Sequence, residues 1–133
     1  MLTCLDGPSF MPTQIINSER SFQIWKYTVG HSQLLLRSTK ARNVPTRIDV
    51  FFKGVSEFHL PTTLSGLSVQ EASDDQIRKL CSLRESASFN HGVKVYMVKG
   101  MGYLGYVAAL VVACHEDEGE YDEPSFFSKN NML

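Results

Sequence analysis

Hydrophobic and polar residues alternate with a period of two over much of the chain, the pattern of strands that bury one face. Phe22–Val29 is rich in aromatic and β-branched residues, the types enriched in strands. Gly30-His31 separates it from Ser32–Arg37, and a two-residue loop with glycine first suits a type II′ hairpin. Pairing Val29 with Ser32 sets Tyr27 against Leu34 and Trp25 against Leu36. Trp25, Tyr27, Val29, Leu34 and Leu36 then share an inner face, and Ile24, Lys26, Thr28, Gln33, Leu35 and Arg37 share the outer one. Thr46–Lys53 alternates again, with Ile48, Val50 and Phe52 inward and Arg47, Asp49, Phe51 and Lys53 outward. A third antiparallel strand is expected there.

Shorter strands are expected around 14–17, 56–60 and 67–71, the second stopped by Pro61. Ser73-Asp-Asp-Gln76 is a capping box with two acids at the positive end of a helix dipole. Ile77, Leu80, Cys81 and Arg84 follow on one stripe, so a helix is expected over roughly 74–86. Val93–Lys99 reads as a strand, and Gly100-Met101-Gly102 turns the chain. Tyr103–Cys114 is apolar almost throughout. That uniformity suits a buried helix as well as a central strand, but its Tyr, Val and Gly content favours a strand, bulged at Gly105. The fold class is therefore α+β: an antiparallel, curved sheet or half-barrel of about five to seven strands packed on one helix. A chain of 133 residues fits one domain, with 1–20 as an extended lead-in and 116–133 as an acidic segment and tail.

Composition narrows the chemistry. With 43% hydrophobic and 20% charged residues the chain is of ordinary globular type. A net charge of −1 argues against general nucleic-acid binding. The apolar run 103–114 is too short for a membrane helix, and the first residues lack the basic and apolar regions of a secretory signal. Three widely spaced cysteines, Cys4, Cys81 and Cys114, argue against a disulfide framework and for a reducing cytoplasm. Cys81 and Cys114 read as buried packing thiols.

The near-neutral total hides a strong asymmetry. Residues 20–53 carry seven bases and one acid, Asp49, whereas 115–123 carry six acids, Glu116, Asp117, Glu118, Glu120, Asp122 and Glu123. Such a cluster steers a basic partner; its spacing does not match an EF-hand. The outer sheet face, with Ile24, Lys26, Leu35, Arg37, Arg47, Phe51 and Lys53, needs a cover. The 74–86 helix and a second subunit are the two candidates. Phe126 and Phe127 anchor the tail, on the domain itself or on a partner. Gly100, Gly102 and Gly105 match GxGxxG, but no second parallel strand follows, so a hairpin turn is the better reading. His31, His59, His91 and His115 show no metal-ligand spacing, and no nucleophile motif is present.

No catalytic residue, metal or cofactor is assigned. The leading reading is a non-catalytic protein-interaction module using its acidic surface, for instance an immunity or antitoxin-like inhibitor of a basic enzyme. The alternatives are a small-ligand binder or enzyme with a pocket lined by Trp25, Tyr27, Tyr96 and Tyr106, and a structural homodimer through Ile24, Leu35 and Phe51.

Overall fold

A computed structural model describes residues 3–4, 14–84 and 88–129. Most of the expected lead-in, the end of the expected helix at 85–86 and the last residues of the tail fall outside these. The elements are β1 (Thr3–Cys4), β2 (Gln14–Thr28), β3 (Gln33–Ser38), β4 (Arg47–Lys53), β5 (Glu57–His59), β6 (Thr63–Glu71), α1 (Asp74–Leu83), β7 (Lys94–Gly100), β8 (Tyr103–Ala109), β9 (Val111–Asp117) and α2 (Phe126–Lys129). All strand pairs are antiparallel, in the order β5-β8-β7-β6-β2-β3-β4-β9, with β1 added to β2. The nine strands exceed the expected number partly because two long strands each break once. β4 runs into β5, and β8 runs into β9. The two form one bent ribbon whose register changes by one residue at the corner, from Lys53↔Val111 to Glu57↔Ala108. Leu110 N donates to the Lys53 carbonyl at that corner. The apolar run 103–114 is thus strand, and it breaks at Leu110 rather than bulging at Gly105.

The ladder path is open, with β5 and β9 as its ends, yet the sheet curls strongly. β4 and β7 lie four steps apart, roughly 19 Å on a flat sheet. The rings of Phe52 and Tyr96, one on each strand, are nevertheless 5.9 Å apart. The inner faces meet in one core holding Ile16, Phe22, Leu34, Leu36, Ile48, Val50, Phe52, Leu64, Val69, Val98 and Val107. The inward set expected of β4 is correct.

The first hairpin departs from expectation in two places. Its turn is a 3-10 turn at Val29–His31 followed by Ser32 in the left-handed region (φ 51°), not a two-residue type II′ loop. Tyr27 does face Leu34, but Ile24 and not Trp25 faces Leu36, because Trp25 is an extra residue between the pairs Ile24↔Leu36 and Lys26↔Leu35. This bulge turns Trp25 outward and Ile24 into the core. α1 starts at the expected capping box: Ser73 Oγ accepts from Gln76 N, and Gln76 Oε1 accepts from Ser73 N.

α1 is not the cover of the outer face of β3, β4 and β9. That role belongs to the C-terminal segment, whose Phe127 packs on Leu35 and Phe51, with Phe126, Trp25 and Ala113 alongside. The homodimer expected on this face loses its surface, because the chain covers Leu35 and Phe51 itself. The expected anchoring of Phe126 and Phe127 on their own domain is observed.

Candidate functional site

Among the places where side chains of several elements converge outside the core, two carry networks of polar groups. The first is an open cleft of about 390 Å3 between α1 and the outer faces of β5, β8 and β7, lined by His59, Leu80, Leu83, Arg84, Met97, Leu104, Gly105 and Tyr106. Strand alternation places its polar wall. His59 pairs with Tyr106 and Glu57 with Ala108, so Glu57, His59 and Tyr106 share the outer face. Gly105 allows the close crossing of β8 under β5, since a Cβ there would strike the His59 carbonyl. The helix brings Leu80 and its C-terminal cap Arg84 to that wall, with Leu83 at the rim.

The polar groups form one network. Glu57 accepts from Arg84 Nη2 at 2.8 Å and from the Tyr106 hydroxyl at 2.8 Å. Arg84 Nη1 donates to the Ser88 carbonyl, and its guanidinium lies 3.8 Å from the centre of the Phe89 ring. Tyr106 stands between the Phe89 edge and a stacked His59. Burial pushes the Glu57 carboxyl up, but the hydrogen bonds from Arg84 and Tyr106 together outweigh it and hold it below its usual value. Burial, and then the bond to Glu57, raises the Tyr106 phenol, while Glu57 raises Arg84. Opposite the network the cleft is apolar, and its rim is unusually bare: Leu83 is 84% exposed and Leu104 65%. Convergent polar groups in an apolar cleft are the general form of a ligand site.

The second place is the covered outer face. Arg37 and Asp49 form a buried pair there, with Arg37 Nε 2.7 Å from Asp49 Oδ1. Arg47 is bidentate on Asp117 and also donates to the carbonyls of Glu120, Glu123 and Pro124. Arg37 adds a bond to the Tyr121 carbonyl. The six acids expected to face a partner lie along this segment. Glu116 accepts from Thr46 and pairs with Arg20, Asp117 with Arg47 and Glu120 with Lys40. The Glu123 carboxylate accepts from Glu120 N. The side chains of Glu118, Glu120 and Asp122 face solvent. Burial raises the Asp117 carboxyl, but Arg47 and the Gly119 amide draw it down further. Arg20, Lys40 and Arg47 of the basic stretch are therefore each paired with an acid of the acidic one, Glu116, Glu120 and Asp117.

The expected aromatic pocket is not assembled. Tyr96 belongs to the core and is pushed up to about 12 by burial. Trp25 lies outside against Tyr121 and Arg37. Tyr27 is exposed beside Phe58, and Tyr106 alone reaches the cleft. Of the expected sheet face, Ile24 points inward, Lys26 and Lys53 are exposed, and Leu35, Arg37, Arg47 and Phe51 are buried under the tail. The GxGxxG glycines form the β7–β8 hairpin, with Gly102 at φ +79°. Cys114 is disulfide-bonded and not a packing thiol, whereas Cys81 is a free, half-buried cysteine. The chain matches no protein-family model, no curated protein and no solved structure.

Proposed function

We propose that this protein is a non-catalytic binding module whose primary site is the cleft between α1 and β5–β8–β7, and that the cleft takes a small amphipathic molecule. The carrying observation is the bare apolar rim of Leu83 and Leu104 facing a fixed polar wall. An apolar body lying on Leu80, Leu83, Met97 and Leu104 would remove that surface from water, at about 25 cal/mol for each Å2 covered. His59, Tyr106 and Arg84 would orient its polar end. Binding is favoured over catalysis because Glu57, Tyr106 and Arg84 direct their hydrogen bonds at one another.

The test is a titration of the full chain with 1-anilinonaphthalene-8-sulfonate, an apolar body with an anionic group, followed by its fluorescence. Saturable one-to-one binding is expected, weakened at least tenfold in Leu104→Asp with an unchanged circular dichroism spectrum. Absent saturation, or equal affinity in the variant, removes the reading.

A second reading, a protein-interaction surface on the acidic segment, is supported by the solvent-facing carboxylates of Glu118, Glu120 and Asp122. Replacing those three with Ser would leave every partner untouched if that reading is wrong. As to compartment, among the described residues no helix is long and apolar enough to cross a membrane. The disulfide at Cys114 favours an oxidising environment over the cytoplasm expected from cysteine spacing.

A further inference from the structure

We infer that the outer face of β3, β4 and β9 is a recognition groove for an acidic peptide that turns ahead of adjacent aromatic residues, filled in this structure by residues 118–127 of the chain itself. The mode of attachment is that of a bound peptide. Among the described residues, this segment makes no strand ladder with the sheet. Two buried arginines hold it instead, Arg47 through the carbonyls of Glu120, Glu123 and Pro124 and Arg37 through that of Tyr121. Side-chain donors on main-chain carbonyls hold a backbone without regard to its sequence, and here that backbone turns between Glu120 and Glu123 before the short helix Phe126–Lys129.

Sequence enters through four further contacts. Phe127 stacks on Phe51 with ring centres 5.0 Å apart, and Phe126 stacks on His115 at 3.9 Å. Asp117, where the segment leaves β9, takes the Arg47 fork. Gly119 lies against the same guanidinium, where a Cβ would meet Nη2 at 2.5 Å. Acid, glycine and paired aromatics are thus each matched by a group on the face.

Two features separate groove from occupant. The main core contains no residue of the segment, so the face can be uncovered without opening the barrel-like interior. The segment also satisfies its groove incompletely. Gln33, on the same face as Leu35 and 5% exposed, has a buried Nε2 with no hydrogen-bond partner among the described residues. A buried amide left without an acceptor costs about 1–3 kcal/mol. A peptide from another protein that brings one carbonyl to Gln33 would hold an advantage the chain's own segment lacks. A further cleft of about 290 Å3 between Trp25, Leu35, Arg37 and the segment leaves room for a larger side chain.

The experiment uses the full chain and a fluorescein-labelled synthetic peptide spanning residues 117–129. Its affinity is measured by anisotropy for the wild type, Phe126→Ala and Phe127→Ala. Trp25, the single tryptophan, lies against Tyr121 and reports the position of the segment. The variants are expected to bind the peptide at least tenfold more tightly than wild type, because the competing segment is loosened. A peptide with both Phe replaced by Ser should not bind. If neither variant takes up the peptide, or if the Phe-free peptide binds as well, the groove is not a recognition site and the segment is merely part of the fold.

Discussion

Replacing Phe127 by Ala tests how the C-terminal segment is held. Phe127 is 2% exposed, stacks on Phe51 with 24° between the rings and meets the edge of His115 at 6.4 Å. Buried Phe→Ala changes cost about 3–5 kcal/mol when the site stays rigid. The satellite cluster has only three buried members, edged by half-buried Trp25, Ala113 and Phe126, so the lower end, about 3 kcal/mol, is expected. For 133 residues the entropy of unfolding is about 0.28 kcal/mol/K, which makes the cost worth roughly 10 °C in Tm. A second outcome is built into the geometry. The segment can open while the main core stays shut, and the loss is then limited to the free energy that closes the segment. In that case Tm falls by less, but the Glu123 amide, which donates to the Glu120 carbonyl at 3.2 Å, exchanges with solvent at the rate of an open chain. Calorimetry and amide exchange on the same variant distinguish the two. A Tm within about 2 °C of wild type, with an unchanged Trp25 spectrum and a still-protected Glu123 amide, would refute the view that Phe127 anchors the segment.

Two other outcomes follow from the same contacts. The Asp117 carboxyl is lowered from 3.8 in the folded chain by Arg47 and Gly119 once burial is overcome, so its stabilisation is present above that value and is lost as pH falls through the folded one. An acid titration should therefore free Trp25 from Tyr121 before the core unfolds, and simultaneous loss of both signals would count against it. Reducing the disulfide at Cys114 should lower stability by about 2–4 kcal/mol, read as a drop of roughly 7–14 °C in Tm; a melting curve indifferent to reductant would contradict the bond.

The parts of the fold legible in the sequence are those fixed by local chemistry. The β4 alternation, the α1 capping box and the glycine-rich β7–β8 turn each depend on residues within one element, and each is found where the pattern puts it. The failures occur where one extra residue resets a period. Alternation assigns Trp25 to the face of Leu36, and a single bulge hands that place to Ile24. No local feature marks the bulge. The contacts that receive the bulged residue lie far along the chain, where the Tyr121 ring meets Trp25 edge-on and the Tyr121 carbonyl accepts from Arg37. The cleft is illegible in the sequence for a related reason. Glu57 and His59 alternate as any short edge strand does, and Leu80 and Arg84 follow a stripe that reads as packing; only the curl of the sheet sets the two side by side.

Charge is the case in which separation in sequence misleads most. Bases clustered in one stretch of the chain and acids in another suggest a dipolar surface, yet the fold pairs Arg20, Lys40 and Arg47 of the one with Glu116, Glu120 and Asp117 of the other. The arrangement is costly, because taking Arg37, Asp49 and Arg47 out of water carries a desolvation penalty that their mutual attraction only offsets with good geometry. An apolar substitute would stabilise the face more simply, but it would offer no donors to the carbonyls of Glu120, Tyr121, Glu123 and Pro124. What the buried arginines confer is register: they fix which residues of an otherwise unladdered segment stand over Phe51. Arginines at alternating strand positions, such as Arg37 and Arg47, are therefore to be weighed as receptors for backbone before a distant run of acids is treated as a free surface.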